Sequence, residues 1–255
     1  MARSGELRLR SYGGTDVGRR RKVNEDAYLC DDELGLWVVA DGMGGHAAGE
    51  VASQEAVDTI YGMVKRGQTT LRLDGDFSEE RARAALRLLE GAVQAATYMV
   101  FAMAELDSDK AGMGTTISAM MSYGNYVVLA QVGDSRIYRV RGRRAEQLTE
   151  DHTLIAWQLK QGLITPEEAR TSKHRNVITR AVGNRDYVQV DMTACETELG
   201  DVYLLCSDGL HGYLQREEIP MLTGAGGRQA VQAFIDFANS QGGRDNITAI
   251  LVEAC

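Results

Sequence analysis

The feature that most restricts the fold is a succession of short apolar or alternating runs separated by turn residues. They span Leu7–Tyr12, Ala27–Cys30, Leu36–Ala40, Thr116–Ser122, Tyr126–Val132, Ile137–Arg141, Val188–Met192, Val202–Cys206 and Ile247–Val252, and each reads as a strand. Two long stretches of helical period lie among them. In the first, Val51, Ala52, Val57, Ile60 and Val64 recur at three-to-four spacing. In the second, Ala82, Ala85, Leu86, Leu89, Val93, Ala96, Val100 and Met103 form one stripe, with Ser78 as its N-cap. Shorter helices are predicted over Thr153–Gln161, from Thr165-Pro166-Glu167-Glu168 with its capping box, and over about Arg228–Ser240. Strands in hairpin order, without strand–helix–strand alternation, predict an α+β fold of antiparallel sheets covered by helices.

The 255 residues are 44% hydrophobic and carry no Pro- or Ser-rich linker, so the whole chain, 1–255, reads as a single domain. Only two prolines against 28 glycines suits many strands joined by tight turns. The net charge of −8 repels phosphate backbones and argues against nucleic acid as a partner. No run reaches the roughly 18 apolar residues of a membrane span, and "MARSGELRLRSYGG" has no apolar targeting segment. A cytoplasmic protein with no membrane partner is therefore expected. Cys30, Cys195, Cys206 and Cys255 show no paired spacing and read as free thiols in a reducing compartment, with Cys206 a core residue.

Several strands stop or start on a carboxylate. Leu36–Ala40 runs into Asp41 in "VVADGMGG", Tyr126–Val132 is followed by Asp134, and Val202–Cys206 by Asp208. Asp26 and Asp245 sit at the opposite ends of their strands, just before Ala27–Cys30 and Ile247–Val252. Neighbouring antiparallel strands begin where the other ends, so all five can meet on one edge. If 27–30 and 36–40 pair around the loop Asp31–Gly35, Asp26 falls opposite Ala40 and next to Asp41. Taken singly, each aspartate also fits a plain turn. Gathered together, five like charges require divalent cations, and an oxygen-only set without His or Cys selects Mg²⁺ or Mn²⁺. Glycines around Asp41 and after Asp208 open the backbone to metal, water and substrate, and free a carbonyl such as that of Gly42 to ligate.

Two hard ions about 3.5–4 Å apart hold and deprotonate a bridging water for in-line attack at phosphorus. The phosphate oxygens need a cationic fork, and "GRRRKVNED" puts Arg21 just ahead of Glu25-Asp26. The neighbouring Arg19, Arg20 and Lys22 read as a solvated cluster. Two other classes fit parts of this pattern: a non-catalytic module that recognises phosphoproteins, and a metal phosphoesterase acting on small metabolites.

The successive motifs "TDVGRRRKVNEDAY", "VVADGMGGHAAGEVAS", "GTTISAM", "AQVGDSRIYRV", "LTEDHT", "NVITRAVG", "LLCSDGL" and "GGRDNITAILV" resemble, in order, those of the metal-dependent (type 2C) serine/threonine protein phosphatases, bacterial branch. The similarity runs from about Leu9 to Val252. It implies a four-layer α-β-β-α sandwich of two antiparallel sheets flanked by helices, with the metal site at one end. It implies that Asp26, Asp41, Asp208 and Asp245 bind two core Mn²⁺ or Mg²⁺ ions, with Gly42 giving a carbonyl and Glu25 acting through water. Asp134, with Asp208, is implied to hold a weaker third ion. Arg21 matches the phosphate-binding arginine and, with Asp26 and Asp208, makes up the catalytic set, to which His46 is added where a candidate general acid falls. Residues 151–173 resemble the family's flap, while His152, His174 and His211 read as structural. "SKHRNVITRAVG" departs from members that carry a His-Pro pair earlier. The implied activity is hydrolysis of phosphoserine and phosphothreonine on proteins by a monomer that opposes a cognate serine/threonine kinase.

Overall fold

Two antiparallel sheets lie face to face, each with helices over its outer face. The computed structural model describes residues 7–44, 48–71, 79–174 and 177–255. The chain runs through β1 (Leu9–Asp16), β2 (Asp26–Asp31) and β3 (Leu36–Met43) into the helices α1 (Ala48–Leu71) and α2 (Glu79–Leu106). It continues through β4 (Gly114–Thr115), β5 (Ile117–Tyr123), β6 (Tyr126–Val132), β7 (Arg136–Arg141) and β8 (Arg144–Gln147). Then come α3 (Leu154–Lys160), α4 (Pro166–Thr171), β9 (Asp191–Glu196) and β10 (Val202–Cys206). Three helices, α5 (Asp208–His211), α6 (Ile219–Thr223) and α7 (Gly227–Ser240), precede β11 (Ile247–Ala254).

One sheet has the order β1-β11-β10-β7-β8, the other β2-β3-β5-β6-β9 with β4 beside β3. The period of two along each strand sorts side chains between layers. In β3, Leu36, Val38 and Ala40 pack under α1 and α2, while Trp37 and Val39 face the opposite sheet. In β10, Leu204 and Cys206 face α7, and Tyr203 and Leu205 enter the middle layer beside Ile250 and Val252 of β11. These three apolar layers between four layers of structure are the predicted α-β-β-α sandwich, and Cys206 is a core residue as expected.

Three boundaries differ from the sequence-based expectation. β1 starts two residues later and runs on through Gly13-Gly14 to Asp16, because its ladder to β11 continues to Asp16↔Ile247 where side-chain alternation is lost. Val188 and Val190 are buried but lie ahead of β9, and the side chain of Gln94 on α2 bonds both backbone groups of Val188 in place of a strand. β4 and β8 were not anticipated, the first being too short and the second too polar to stand out. The helix starts at Thr153 and Thr165 form as predicted: Thr153 accepts from Ala156 N–H, and Thr165 and Glu168 close the capping box. The proposed cap Ser78 lies outside the described residues.

Candidate metal centre

The hairpin of β2 and β3 sets the site. Its register pairs Asp26 directly with Asp41, and Ala27 with Ala40, one residue away from the expected alignment. The two carboxylates therefore begin and end adjacent strands as a cross-strand pair. Hydrogen bonds fix the backbone of Asp41: its N–H donates to Thr116 Oγ1 at 3.0 Å, and its carbonyl accepts from Thr116 N–H at 2.9 Å and Thr115 Oγ1 at 3.0 Å. Asp208 arrives from the other sheet on the first residue of α5, after β10, and Asp245 from the turn before β11. Asp134 follows β6, and its carbonyl accepts from His211 Nε2 at 2.8 Å. That bond requires the proton on Nε2, and burial keeps the ring neutral by lowering its pKa to about 3.

Asp26 is the best defined of the set. Its Oδ2 accepts from Ser207 Oγ at 2.7 Å and Thr248 Oγ1 at 2.6 Å, while Oδ1 is buried with no hydrogen-bond partner among the described residues. An orphaned carboxylate oxygen is costly unless something absent from the chain itself satisfies it. Ser207 would ordinarily cap α5, but it makes no such bond because its hydroxyl is spent on Asp26.

The electrostatics show how tightly the acids are gathered. Burial pushes Asp26 up to about 7, with Asp208 and Asp245 adding like charge and the two hydroxyl donors opposing. Burial likewise drives Asp41 well above the usual carboxylate range, helped by Asp26, Asp208, Asp134 and Asp245. Asp134 is raised to about 7 by burial and then by Asp208 and Asp151. Asp208 is raised by burial and then by the Asp245 charge, with its contact to Asp41 and the Arg21 charge opposing. Burial also raises Glu25, against the Arg21 charge.

Arg21 reaches this cluster from its rim. Its side chain is 46% exposed, its Nη2 donates to Asp245 Oδ2 at 2.8 Å, and its Nη1 lies 3.7 Å from Glu25 Oε2. Among the described residues no three acidic, histidine or cysteine side chains close around one point as a finished cage. The Arg21 guanidinium supplies part of the balancing charge. The residues nevertheless fit a pair of hard cations: the donors are all oxygen, burial and then like charge raise Asp26, Asp41 and Asp208, and one buried oxygen has no partner among the described residues.

Gly42 and Gly209 are also required by close packing. A Cβ on Gly42 would meet Gly49 O at 2.1 Å and Glu25 O at 2.5 Å, and one on Gly209 would meet Asn246 O at 1.9 Å. They allow backbone to approach backbone, which brings Glu25 and Asp245 in beside Asp41 and Asp208. His46 lies outside the described residues. Several supporting residues were not singled out from the sequence. Asn246 accepts from Glu25 N–H at 2.8 Å and donates to Val17 O and Val23 O at 3.1 and 3.0 Å, tying the Arg21 loop to the start of β11. Buried hydroxyls inside apolar strands, Ser207 and Thr248 among them, were the available signal.

The segment that begins at Asp151 is anchored at its start. Arg136 holds Asp151 through Nε and Nη2, and His152 accepts from Gly133 N–H at Nδ1 (3.1 Å) and so donates from Nε2 to Asp191 Oδ2 at 3.0 Å. Beyond it α3 exposes Trp157, and the turn between α3 and α4 exposes Leu163.

The sequence model described as Protein phosphatase 2C matches residues 14–252. The serine/threonine phosphatase stp of Listeria innocua is 38% identical over 244 residues, 94% of this chain and 93% of that protein. Protein phosphatase PhpP of Streptococcus pneumoniae is 36% identical over 245 residues, covering 93% and 94%. Among solved structures, the Mycobacterium tuberculosis serine/threonine phosphatase PstP/Ppp superposes with a TM-score of 0.85 at 35% identity, covering 97% of this chain and 99% of that one. The catalytic domain of PstP in complex with two manganese ions gives 0.83 at 34% identity, again covering 97% and 99%.

Proposed function

The chain belongs to the protein phosphatase 2C family, and from that premise we propose that it is a protein serine/threonine phosphatase using Mn²⁺ or Mg²⁺. The observation that carries the reading is the cross-strand pair Asp26–Asp41 meeting Asp208 and Asp245 from the opposite sheet, with Asp26 Oδ1 buried and unsatisfied. Asp26, Asp41, Asp208 and Asp245 are the residues that would hold two ions, with the Gly42 carbonyl and Glu25 at their margin and Asp134 beside Asp208 for a weaker third. When bound, such ions supply the charge that makes water nucleophilic near neutral pH.

The chain's own residues do the remaining work. Ser207 and Thr248 grip Asp26 Oδ2 and thereby aim Oδ1 inward. Burial holds Asp41 and Asp208 toward their protonated forms, so cations displace protons on entry and binding is pH-dependent. Arg21 exchanges Asp245 for the substrate phosphate, where its planar fork engages two oxygens. Its exposure at the rim supports that role. The substrates are phosphorylated proteins. The opposing serine/threonine kinase, the monomeric state, the flap at 151–173 and the cytoplasmic location belong to the same reading. No helix among the described residues is long and apolar enough to cross a membrane.

The test is release of phosphate from a phosphothreonine peptide, a nucleotide and a sugar phosphate side by side. Turnover of the peptide alone, abolished by chelator and restored by Mn²⁺, supports the reading. Equal turnover of the sugar phosphate would favour a metabolite phosphoesterase, and metal-independent turnover would remove the ions from the chemistry.

A further inference from the structure

A cavity of about 940 Å³ runs along the outer edge of β1, away from the carboxylate cluster. The β1 backbone from Arg10 to Thr15, Tyr28 of β2, and Arg228, Val231 and Ile235 of α7 wall it. β1 ends its sheet and pairs on one side only, with β11. Arg8 and Cys255 exchange both backbone bonds, at 2.9 and 2.8 Å, and the register continues unbroken from Leu9↔Ala254. The even-numbered residues of β1 therefore bond β11, while Ser11, Gly13 and Thr15 turn their N–H and C=O groups outward into the cavity.

Asp32 takes the Ser11 N–H at 3.1 Å, but no partner among the described residues takes those of Gly13 or Thr15. The two glycines of this strand keep it bare. A Cβ on Gly13 would meet Tyr28 Cε2 at 2.4 Å, and one on Gly14 would meet Val231 Cγ1 at 2.9 Å. Asp32 covers the edge only at Ser11; at Gly13 and Thr15 neither charge nor a bulge blunts it, as sheet edges usually require. The charge of the walls is also unusual for this chain. Its net charge is −8, yet the lining carries Arg10 and Arg228 and no carboxylate. Both arginines are exposed, and neither forms an ion pair among the described residues.

We propose that the free edge of β1 is a docking strand for an extended acidic segment of a partner protein. Such a segment adds to the sheet through Gly13 and Thr15, as peptides do in β-strand addition. Acidic side chains of one parity meet Arg10 and Arg228 on the α7 face, and apolar ones of the other parity meet Tyr28 and Cys30. The proposal rests on the sheet edge and its charge and is independent of the catalytic assignment.

The probe is a fluorescein-labelled peptide of alternating valine and glutamate, measured by anisotropy against the full chain, with amide hydrogen exchange read at Gly13 and Thr15. Binding should slow exchange at both amides. The double variant R10E/R228E should weaken binding about tenfold or more while leaving p-nitrophenyl phosphate turnover unchanged. The same peptide with alternate backbone nitrogens methylated should weaken comparably, because it cannot donate to the strand. Absence of binding, unaltered affinity in the double variant, equal affinity for the methylated peptide or for one alternating valine and lysine, or unprotected Gly13 and Thr15 amides would each overturn the proposal.

Discussion

Thr248 donates its hydroxyl to Asp26 Oδ2 at 2.6 Å from within an apolar strand, and the other oxygen of that carboxylate has no partner among the described residues. This bond assigns the two oxygens different tasks, one held by the protein and one kept for a ligand. Thr248→Val removes the donor at nearly constant volume. It should weaken Mn²⁺ binding by about tenfold to a hundredfold, the usual loss when an outer partner of a metal ligand is removed. Isothermal titration with Mn²⁺ checks this, and unaltered affinity would detach Thr248 from the site.

Asp208→Asn keeps the size of the side chain but removes the carboxylate charge from the buried cluster. Peptide turnover should fall by about a thousandfold or more, the order seen when a central catalytic group is lost. Circular dichroism should remain that of the parent chain. Near-normal kcat would show that Asp208 holds no ion.

Arg21→Ala should chiefly raise KM for a phosphothreonine peptide, by about tenfold or more, because a charge-assisted fork to phosphate is lost. The same change frees Asp245 from its 2.8 Å ion pair. Unchanged KM would place substrate phosphate elsewhere.

The raised carboxylates make stability depend on pH in the metal-free protein. Folding lifts Asp26 and Asp134 to about 7, from an unfolded value near 4. Being raised, they contribute stability that is complete below about pH 4 and is lost as pH climbs through about 7. Thermal unfolding in chelator should therefore show a midpoint that drops between about pH 4 and 7 and levels off above that. Saturating Mn²⁺ should remove that drop, since cations neutralise the ionised acids. Parallel curves with and without manganese would contradict this account.

Gly42→Ala places a methyl group against two backbone carbonyls that have no room to yield. A destabilisation of about 1–3 kcal/mol or more is expected for overpacking of this kind. Chemical denaturation measures it, and a neutral result would mean that the Glu25 and Gly49 backbones can part.

Much of this was legible because it depends on local pattern. The apolar run Leu36–Ala40 stopping on Asp41, and the matching start at Asp26, identified a hairpin whose ends carry charge. The alignment was off by one residue, since the turn Asp31–Gly35 sets it and periodicity does not. β1 was partly hidden because Gly13-Gly14 breaks the alternation that marks a strand. Val188 and Val190 misled for the opposite reason: they are buried, but against α2, where Gln94 takes the part of a neighbouring strand. The service of His211 to Asp134 could not be read at all, since 77 residues and a sheet-to-sheet crossing separate the partners. The same holds for the bond between Asn246 and Glu25.

Asp26, Asp41 and Asp134 hang from one sheet, and Asp208 and Asp245 from the other. An ion lodged among them must therefore act as a rivet between two leaves that are otherwise joined at this end by side-chain hydrogen bonds. Its grip then depends on the gap, which Trp37, Met120 and Tyr203 set deep in the shared interior. Trimming that filling, far from every acid, should retune how firmly manganese is held.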